Sequence, residues 1–379
     1  MKKLKHKIKL FIEKSYYFVL SRFFMKNQVV FCSFGGTQYS DSPKAFSEYL
    51  HKKDPKIKQV WLFRDPTRMK EVVPKHIKCV ELNTKNWIKY ISSSKALIDN
   101  DYFVYCNKLS QMPKSKKQIF VQTWHGDKGF KKCFYTVKGF KPEMPFSLEK
   151  QGVFDYFLVG CEREEPLIYK MFNYKGDLLK IGLPRNDVLF EDNQEKVKQI
   201  KKELGILQDT KILLYAPTFR EYTKDFESID LDSAINALKK TTKKDWVVVY
   251  RAHHSAFKSN KKYIDGNQFG DMADILPISD MLISDYSSCV GDFALTKKPI
   301  ILYIADFDNY TQKDRGLHFD LKDTPFMIAK NNDELTKIIK DITKEKAEKN
   351  DEDILAFYGN YEKGDACENL YKKIKIKEK

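Results

Sequence analysis

Short apolar runs rich in β-forming residues alternate with helical stretches along the chain, in two successive series. In the first series we predict strands at residues 28–34, 59–63, 95–98, 118–123 and 156–160, followed by a helix over 162–172. In the second series we predict strands at residues 211–215, 246–250, 281–284 and 299–303. Such alternation is typical of βαβ units, whose parallel strands are buried by helices on both faces. The sequence therefore predicts an α/β fold with two Rossmann-like halves.

The stretch IGLPRN at residues 181–186 separates the two series and precedes a charged helical stretch at 194–204. We place the domain boundary there, so that the first domain covers residues 28–185 and the second covers 186–379, including the terminal helices. A chain of 379 residues can bury two cores of this size. Because no low-complexity linker is present, we expect a tight hinge, with the active site in a central cleft between the domains.

The formal net charge of +16 indicates an anionic partner, which can be a nucleic acid, an acidic lipid surface or a phosphorylated substrate. The chain has no helix-turn-helix, zinc-finger or RRM-like pattern, and its basic residues are mixed with 52 acidic ones. We therefore predict no nucleic-acid partner. The seven cysteines lack metal-binding spacing, which favours reduced thiols in the cytosol.

Residues 1–27 are basic, and on a helix their apolar side chains share one face while the lysines occupy its flanks and the opposite side. The apolar positions are Leu4, Ile8, Phe11, Ile12, Phe18 and Val19. This pattern is typical of an amphipathic helix that lies on an anionic membrane surface, although a helix docked on the first domain explains it equally well. No run reaches the roughly 18 to 20 apolar residues that span a bilayer. We expect the segment to be retained rather than cleaved, because Arg22 interrupts it and no cleavage site follows.

The segment FVQTWHGDK at residues 120–128 places His125 just after a predicted strand, where α/β folds bind their ligands. An imidazole titrates near neutral pH and can remove a proton from an alcohol, so His125 is the first candidate base. Gly126 would let a substrate approach the backbone. A loop histidine with a purely structural role is the competing interpretation.

Three strand ends of the second series carry candidate phosphate ligands. ISDYSSCVGDFA at residues 283–294 places Ser287 and Ser288 at a helix amino terminus, which attracts phosphate through its N–H groups and dipole, although plain capping is also consistent. The segments YAPTFR and YRAHH follow two further strands. The cationic residues that could neutralise a diphosphate are Arg220, Arg251, His253 and Arg315.

The sequence gives little support for a metal or a tightly bound cofactor. Asp99 and Asp101 flank an asparagine, which is weak evidence for a cation site. Walker and GxGxxG patterns are absent, which argues against P-loop ATP hydrolysis and the usual mode of NAD binding. We predict that the protein needs no tightly bound metal or cofactor.

Seven segments resemble, in this order, the CDP-glycerol glycerophosphotransferase family of teichoic-acid primases and polymerases. They are TWHGDKGFKK, GLPRNDVL, YAPTFRE, RAHH, DMADILPISDMLISDYSS, KPIILYIADFDNY and RGLHFD, and they cover about residues 95–325. The resemblance implies a GT-B-like fold and a peripheral enzyme at the cytoplasmic face of the membrane. It also implies transfer of glycerol phosphate or ribitol phosphate from CDP-glycerol or CDP-ribitol, with release of CMP. The implied acceptor is an undecaprenyl-linked glycolipid or a polyol-phosphate polymer.

By the same resemblance, His125 is the catalytic base, and His253, the second histidine predicted to be catalytic, contacts the donor pyrophosphate together with Arg251. We predict that Trp124, Gly126 and Asp127 lie on the acceptor side. The resemblance also implies donor-binding roles for Thr218, Ser287, Ser288 and Asp292. With Arg251 and the cationic candidates Arg220 and Arg315, these residues form the predicted donor-binding set. Asp127 and Lys128 replace the Thr-Pro that is usual in the family, which leaves acceptor recognition open. Two alternatives remain: a GT-B glycosyltransferase that uses a nucleotide sugar, and a non-catalytic basic protein that binds membranes or nucleic acid.

Overall fold

The computed structural model describes residues 2–82, 84–101, 109, 111–126, 128–140, 153–218, 228–251, 262–313 and 316–375. Two parallel sheets form the framework of this part of the chain. The strands of the first sheet are β1 (Lys26–Cys32), β2 (Lys58–Phe63), β3 (Lys78–Glu81), β4 (Ser94–Asp99), β5 (Ile119–Gln122), β6 (Tyr156–Leu158) and β7 (Asp177–Leu179). The strands of the second are β8 (Lys211–Tyr215), β9 (Trp246–Tyr250), β10 (Ile264–Asp265), β11 (Met281–Ser284), β12 (Ile300–Tyr303) and β13 (Met327–Ala329). The predicted α/β fold with two parallel sheets is confirmed.

Helices connect and cover these strands. Those of the first half are α1 (Lys2–Phe23), α2 (Asp41–Lys53), α3 (Pro66–Met69), α4 (Lys85–Ser92) and α5 (Glu165–Met171). Those of the second half are α6 (Gln194–Glu203), α7 (Leu231–Thr242), α8 (Met272–Ile275), α9 (Cys289–Phe293), α10 (Phe307–Lys313), α11 (Asn332–Asp341), α12 (Lys344–Tyr358) and α13 (Ala366–Lys375).

The central strands are apolar along most of their length because both faces of each sheet are buried. In β1, Val29 and Phe31 contribute to one core of the first sheet, whereas Val30 and Cys32 contribute to the core on the opposite face. In β11, Leu282 contributes to one core of the second sheet, whereas Met281 and Ile283 contribute to the core on the opposite face. Each sheet is therefore sandwiched between helical layers.

The strand order of each sheet indicates where a ligand would bind. The second sheet has the order β10-β9-β8-β11-β12-β13, which is the Rossmann order, and the first sheet has the order β3-β2-β1-β4-β5-β6-β7, which adds one strand to it. In such sheets, ligands bind beyond the carboxyl ends of the two strands at which the order reverses. These switch points lie between β1 and β4 in the first sheet and between β8 and β11 in the second.

The last helix departs from the predicted domain division. The predicted second domain, residues 186–379, included all terminal helices, but α13 packs against the first sheet. Its side chains Cys367, Leu370 and Tyr371 are buried in the same core as Phe31. By contrast, α12 contributes Ile354 to a core of the second sheet. The chain therefore crosses back to the first sheet between α12 and α13, because the apolar face of α13 is covered there.

Helix α1 is docked at one end and exposed at the other. Tyr17 is fully buried in the first core and its hydroxyl donates to Gln118 at 3.1 Å, while Arg22 donates to the Pro113 carbonyl at 2.9 Å. In the amino-terminal half, the apolar side chains of Leu4 and Phe11 are 63% and 70% exposed. Within the described residues, no helix has the length and apolar character needed to cross a membrane.

Candidate active site

His125 lies just beyond β5, and its ring is oriented by a backbone carbonyl. Nδ1 is 2.7 Å from the carbonyl oxygen of Asn100, the residue that follows β4. Because a carbonyl oxygen only accepts hydrogen bonds, Nδ1 carries the proton and Nε2 is the basic nitrogen of the neutral ring. The side chain is half-buried. His125 can therefore act as a general base through Nε2.

Two aromatic rings contact the imidazole of His125. The centroid of Trp124 is 4.1 Å from the imidazole centroid, and that of Phe34 is 4.9 Å from it. Trp124 is only 6% exposed and packs edge-on against Phe172 in the first core. Trp124, which the resemblance assigns to the acceptor side, thus supports His125 from inside the core. Phe34 is only half-buried and borders the crevice of the first sheet.

Gly126, the next residue, lies against the Trp124 indole. A Cβ atom at Gly126 would be 2.9 Å from Nε1 of Trp124, which is closer than real Cβ contacts. A side chain at this position would therefore displace the indole that packs beside His125. Packing against the Trp124 indole is therefore a structural reason for glycine at this position. The sequence suggested a second reason, the approach of a substrate to the backbone.

The loop that carries His125 contacts the turn that precedes α9. The Cβ position of Gly129 is 3.5 Å from the Cβ atom of Ser288. A Cβ atom on Gly291, in α9, would be 2.5 Å from the Cβ atom of Lys128, so only glycine permits this approach of the two segments. The candidate base of the first sheet and the candidate phosphate-binding turn of the second therefore adjoin one another.

Ser287 and Ser288 lie between β11 and α9, and both are half-buried. The Ser287 hydroxyl accepts a long hydrogen bond, 3.4 Å, from the backbone N–H of Cys289. Ser288 stands immediately before α9, but its side chain makes no capping hydrogen bond. The turn is thus capped weakly by Ser287, and the Ser288 hydroxyl is not committed to the helix.

Thr218 follows β8 and is tied to the end of β11. Its backbone N–H is 3.0 Å from both carboxylate oxygens of Asp285. The Ser284 hydroxyl donates to the carbonyl of Ala216 at 2.6 Å, which joins the same two strand ends. Asp285 is not among the candidate residues predicted from the sequence, although it belongs to the ISDYSS segment. Thr218 and Ser287 therefore share the switch point of the second sheet.

Arg251, predicted to contact a diphosphate, is engaged with the backbone. Its guanidinium donates to the carbonyls of Gly266 and Phe269 at 2.9 and 2.7 Å. Burial of the side chain lowers the pKa of Arg251 from its ordinary value. A donor phosphate would have to use the remaining N–H groups of this side chain, so the donor-binding role of Arg251 stays a prediction.

Asp292, also predicted to bind the donor, belongs to a buried ionic network. One carboxylate oxygen lies 3.1 Å from Nε of Arg185, and the other accepts from Asn186 at 2.9 Å and lies 3.7 Å from Nζ of Lys128. Its exposure is 5%. The described partners of Asp292 are thus other protein groups, and its contact with a donor stays a prediction.

The centre of this network is an ion pair between Lys128 and Glu362. The two charged groups are 2.9 Å apart, and both side chains are fully buried. Glu362 also accepts from Asn186 at 2.8 Å and from the backbone N–H of Leu183 at 3.0 Å. Lys128 and Asn186 lie in segments that the family resemblance already singled out, whereas no sequence pattern indicated Glu362.

The RGLHFD segment pairs with the continuation of the His125 loop. The backbone N–H of His318 donates to the Phe130 carbonyl at 2.8 Å, and Lys131 forms an antiparallel bridge with Leu317. Burial lowers the pKa of His318 to about 4, so this ring is neutral near pH 7. His318 therefore adds no positive charge to the site at that pH.

Four predicted site residues, Asp127, Arg220, His253 and Arg315, lie outside the described residues. Their roles remain predictions. In the part of the chain that the structure describes, no group of three or more histidine, cysteine, aspartate or glutamate side chains could hold a metal ion.

Two sheets of Rossmann order, with the base of one adjoining the hydroxyl-rich turn of the other, define a GT-B-like enzyme. The family model of CDP-glycerol:poly(glycerophosphate) glycerophosphotransferase matches residues 14–375, and the chain belongs to this family of transferases. The resemblance stated from the sequence is confirmed.

Individual relatives agree with this assignment. The chain is 29% identical over 371 residues to a teichoic acid poly(glycerol phosphate) polymerase of Bacillus spizizenii, with 91% of each covered. It is 28% identical to the polymerase of the same name from Bacillus subtilis, but it spans only about half of that protein, 47%. It also resembles the solved wall teichoic acid polymerase TagF, with 26% identity, a TM-score of 0.79, and coverage of 100% of this chain and 98% of that one.

Proposed function

We propose that this enzyme transfers glycerol phosphate or ribitol phosphate from a CDP-polyol to a membrane-linked glycolipid or polyol-phosphate polymer and releases CMP. The observation that carries the proposal is the contact between the His125 loop and the Ser287–Ser288 turn. It brings a base with a defined basic nitrogen next to the crevice in which a diphosphate would be held. Relatives named glycerol-phosphate polymerases and primases and a ribitol-phosphate primase support the choice of donor.

In the proposed reaction, Nε2 of His125 takes the proton of an acceptor hydroxyl as its oxygen attacks the phosphorus bonded to the polyol. A new phosphorus–oxygen bond to the acceptor forms, and the bond to the CMP oxygen breaks, so that CMP leaves with the electron pair. Most of the rate enhancement would come from holding these atoms in line and from stabilising charge on the phosphate oxygens.

The Ser287 and Ser288 hydroxyls are the proposed hydrogen-bond donors to the donor phosphates. His253 is proposed to contact the donor there by resemblance to the family, and Arg220 and Arg315 are proposed to supply positive charge because arginine side chains suit a diphosphate. Asp292 is buried among cationic groups, so we propose that it orients the site more than it contacts the donor.

We further propose that the protein acts at the cytoplasmic face of the membrane as a peripheral enzyme. The carboxyl-terminal half of α1 is docked through Tyr17, while the exposed Leu4, Ile8 and Phe11 are apolar and stand among lysines. Apolar side chains at this exposure, flanked by cations, favour the interface of an anionic bilayer.

The experiment that tests the function is CMP release by the purified full chain. The donors are CDP-glycerol, CDP-ribitol and, as a rival, a nucleotide sugar, each with and without an undecaprenyl-linked disaccharide in detergent. Acceptor-dependent CMP release from one CDP-polyol supports the proposal and identifies the donor. Turnover of the nucleotide sugar alone would instead establish a glycosyltransferase, and silence with every donor would favour a non-catalytic binding protein.

A further inference from the structure

We propose that a cavity beside Arg163, where the two halves of the chain meet, is an anion subsite that holds a phosphate group of the acceptor while the acceptor hydroxyl lies at His125. Two parts of the proposed acceptors carry such a group: the diphosphate that links a sugar to its lipid, and a polyol-phosphate unit that has already been added. The inference rests on the proposed function, because it names a second part of the acceptor that the protein binds. Arg163 is not among the candidate residues predicted from the sequence.

The cavity lies between the segment that follows β6, a strand of the first sheet, and the end of α12, which packs on the second sheet. It has a volume of about 360 Å³. Its lining includes the side chains of Glu162, Arg163, Leu167, His318, Phe319 and Phe357. The two segments are tied together, since the backbone N–H of Glu162 donates to the Gly359 carbonyl at 2.9 Å. Ligand sites occur preferentially at such junctions between domains, so the position suits a substrate-binding cavity.

Arg163 is held in one orientation, but the tip of its side chain has no partner. Its Nε donates to the Phe357 carbonyl at 2.9 Å, and its guanidinium lies 3.8 Å from the centroid of the Phe357 ring and 5.8 Å from that of Phe319. Within the described part of the chain, its two terminal nitrogens make no hydrogen bond and no carboxylate pairs with it. The planar fork of a guanidinium matches two oxygens of a phosphate, and a side chain that is already fixed loses little freedom on binding. Arg163 is therefore preorganised for an oxyanion.

Two lysines add positive charge beside the cavity. The pKa of His318, in the lining, is lowered to about 4 chiefly by burial and in part by the positive charges of Lys132 and Lys170. This effect places both ammonium groups near the His318 ring. Neither lysine forms an ion pair with a residue that the structure describes, and Glu162 is the one acidic side chain in the described lining. The local charge therefore favours an anionic occupant.

A short stretch of chain connects the cavity to the candidate base. The backbone N–H of His318 donates to the Phe130 carbonyl at 2.8 Å, and the rings of Phe130 and Phe319 are 5.6 Å apart. Phe130 is five residues beyond His125. Even a fully extended chain of this length spans at most about 17 Å. An acceptor whose hydroxyl reaches Nε2 of His125 can therefore extend to the cavity.

The cavity also lies on the side of the first sheet that α1 covers. Leu167, which lines it, and Ile168 belong to α5 and pack into the same core of that sheet as Leu10 and Tyr17 of α1. The exposed apolar half of α1 is the proposed membrane contact. A lipid-linked acceptor would therefore approach from the side on which the cavity lies.

The test uses acceptors that differ in their phosphate groups. The first is a disaccharide linked through a diphosphate to a short prenyl chain. The second is the methyl glycoside of the same disaccharide, and the third is that glycoside carrying a short chain of glycerol phosphate units. Transfer from CDP-glycerol and CDP-ribitol is followed as CMP release by the full chain at varied acceptor concentration. The methyl glycoside lacks phosphate, so it reports every acceptor contact except the one proposed.

Arg163→Gln should raise the KM about tenfold for an acceptor whose phosphate occupies the cavity, because it removes a charge-assisted hydrogen bond. The KM values of the methyl glycoside and of the donor should stay within twofold of wild type. Arg68→Gln is the matched control, since Arg68 is exposed in α3, between β2 and the far edge strand β3, and the change removes the same charge. A rise with the prenyl diphosphate acceptor identifies the lipid linkage as the bound group, and a rise with the glycerol phosphate chain identifies the units already added.

Wild-type KM values of Arg163→Gln for both phosphate-bearing acceptors would overturn the inference. An equal rise for the methyl glycoside would overturn it too, because the loss would then have no connection with phosphate. If thermal unfolding shows that Arg163→Gln has lost its fold, Lys132→Gln combined with Lys170→Gln takes its place. A rise confined to the phosphate-bearing acceptors then supports the subsite, and unchanged KM values refute it.

Failure of the proposed function can be told apart from failure of the subsite. If the wild-type chain turns over no CDP-polyol, the proposed function fails by itself. Calorimetric binding of the prenyl diphosphate disaccharide and of the glycerol phosphate chain then tests the cavity without turnover. Weaker binding of either ligand by Arg163→Gln, but not by Arg68→Gln, supports an anion subsite, and equal binding of both ligands by all three proteins overturns it.

Discussion

Replacing Glu362 with glutamine should destabilise the protein far more than the loss of an exposed ion pair does. Lys128 and Glu362 are both fully buried and 2.9 Å apart, and the second carboxylate near Lys128, that of Asp292, is 3.7 Å away. Glutamine keeps the size of glutamate, but its one amide oxygen cannot replace both carboxylate oxygens, which accept from Lys128 and Asn186 and from the Leu183 N–H, so the change removes the charge and one hydrogen-bond acceptor. Removing one partner of a buried pair leaves the other charge poorly compensated, which costs about 3–5 kcal/mol.

The chain offers a matched control. Lys349 and Asp353 form an ion pair of 2.7 Å on the surface of α12, with side chains 67% and 47% exposed. Asp353→Asn makes the same carboxylate-to-amide change, but exposed helical pairs contribute only about 0.3–0.5 kcal/mol. Urea unfolding of both variants and of wild type, followed by circular dichroism, gives the comparison.

A double variant separates the charge from the packing. Lys128→Met combined with Glu362→Gln removes both charges, so it should be more stable than Glu362→Gln alone. The single variant Lys128→Met is measured as well. If Glu362→Gln loses no more stability than Asp353→Asn, the account of the network as a charge-compensated pair is refuted. It is also refuted if the double variant loses as much stability as Glu362→Gln and Lys128→Met lose together.

Three further predictions follow from the site and its surroundings. His125→Ala should lower kcat by about 10²–10⁴-fold and leave the equilibrium affinity for CDP-glycerol within twofold, measured by CMP release and calorimetry. Serine at Leu4, Ile8 and Phe11 should lower binding to anionic vesicles at least tenfold in sedimentation assays, and an unchanged affinity would favour simple docking of α1. Because burial raises the pKa of the Asp351 carboxyl to about 8, stability is lost as pH rises from the unfolded pKa towards 8. Asp351→Asn should remove this loss, about 4 kcal/mol between about pH 5 and pH 8 in urea unfolding, and a variant with the same pH dependence as wild type would contradict it.

The strands that sequence analysis found and missed differ in position. β8, β9 and β11 were predicted with the bounds that the structure gives, and all three lie inside the second sheet. The strands that were not predicted, β3, β7, β10 and β13, are the edge strands of the two sheets and contain two to four residues each. An interior strand needs a continuous apolar run because both faces are buried, whereas a short edge strand does not. The apolar pattern of the sequence therefore predicts the interior strands of each sheet but gives little information about the edge strands.

The candidate site divides in the same way. His125, Ser287 and Thr218 could be named as candidates from the sequence because each follows a strand end, which is a local feature of the sequence. Asn100 and Glu362 could not, because their roles depend on partners 25 and 234 residues away along the chain. No local pattern encodes which distant carboxylate neutralises a buried lysine.

The buried ionic network is better explained by how it positions the chain segments that it joins than by the stability that it adds. Replacing a buried ion pair with well-packed apolar residues is often neutral or stabilising, so stability alone does not account for Lys128 and Glu362. Lys128 belongs to the loop that carries His125, Asp292 belongs to the helix that follows the Ser287–Ser288 turn, and Glu362 lies where the chain returns to the first sheet. An apolar contact between these segments could slide, whereas a charged group paired at 2.9 Å and bonded to Asn186 and Leu183 has one low-energy register. The network can therefore fix the distance between the candidate base and the candidate phosphate-binding turn, on which the proposed in-line transfer depends.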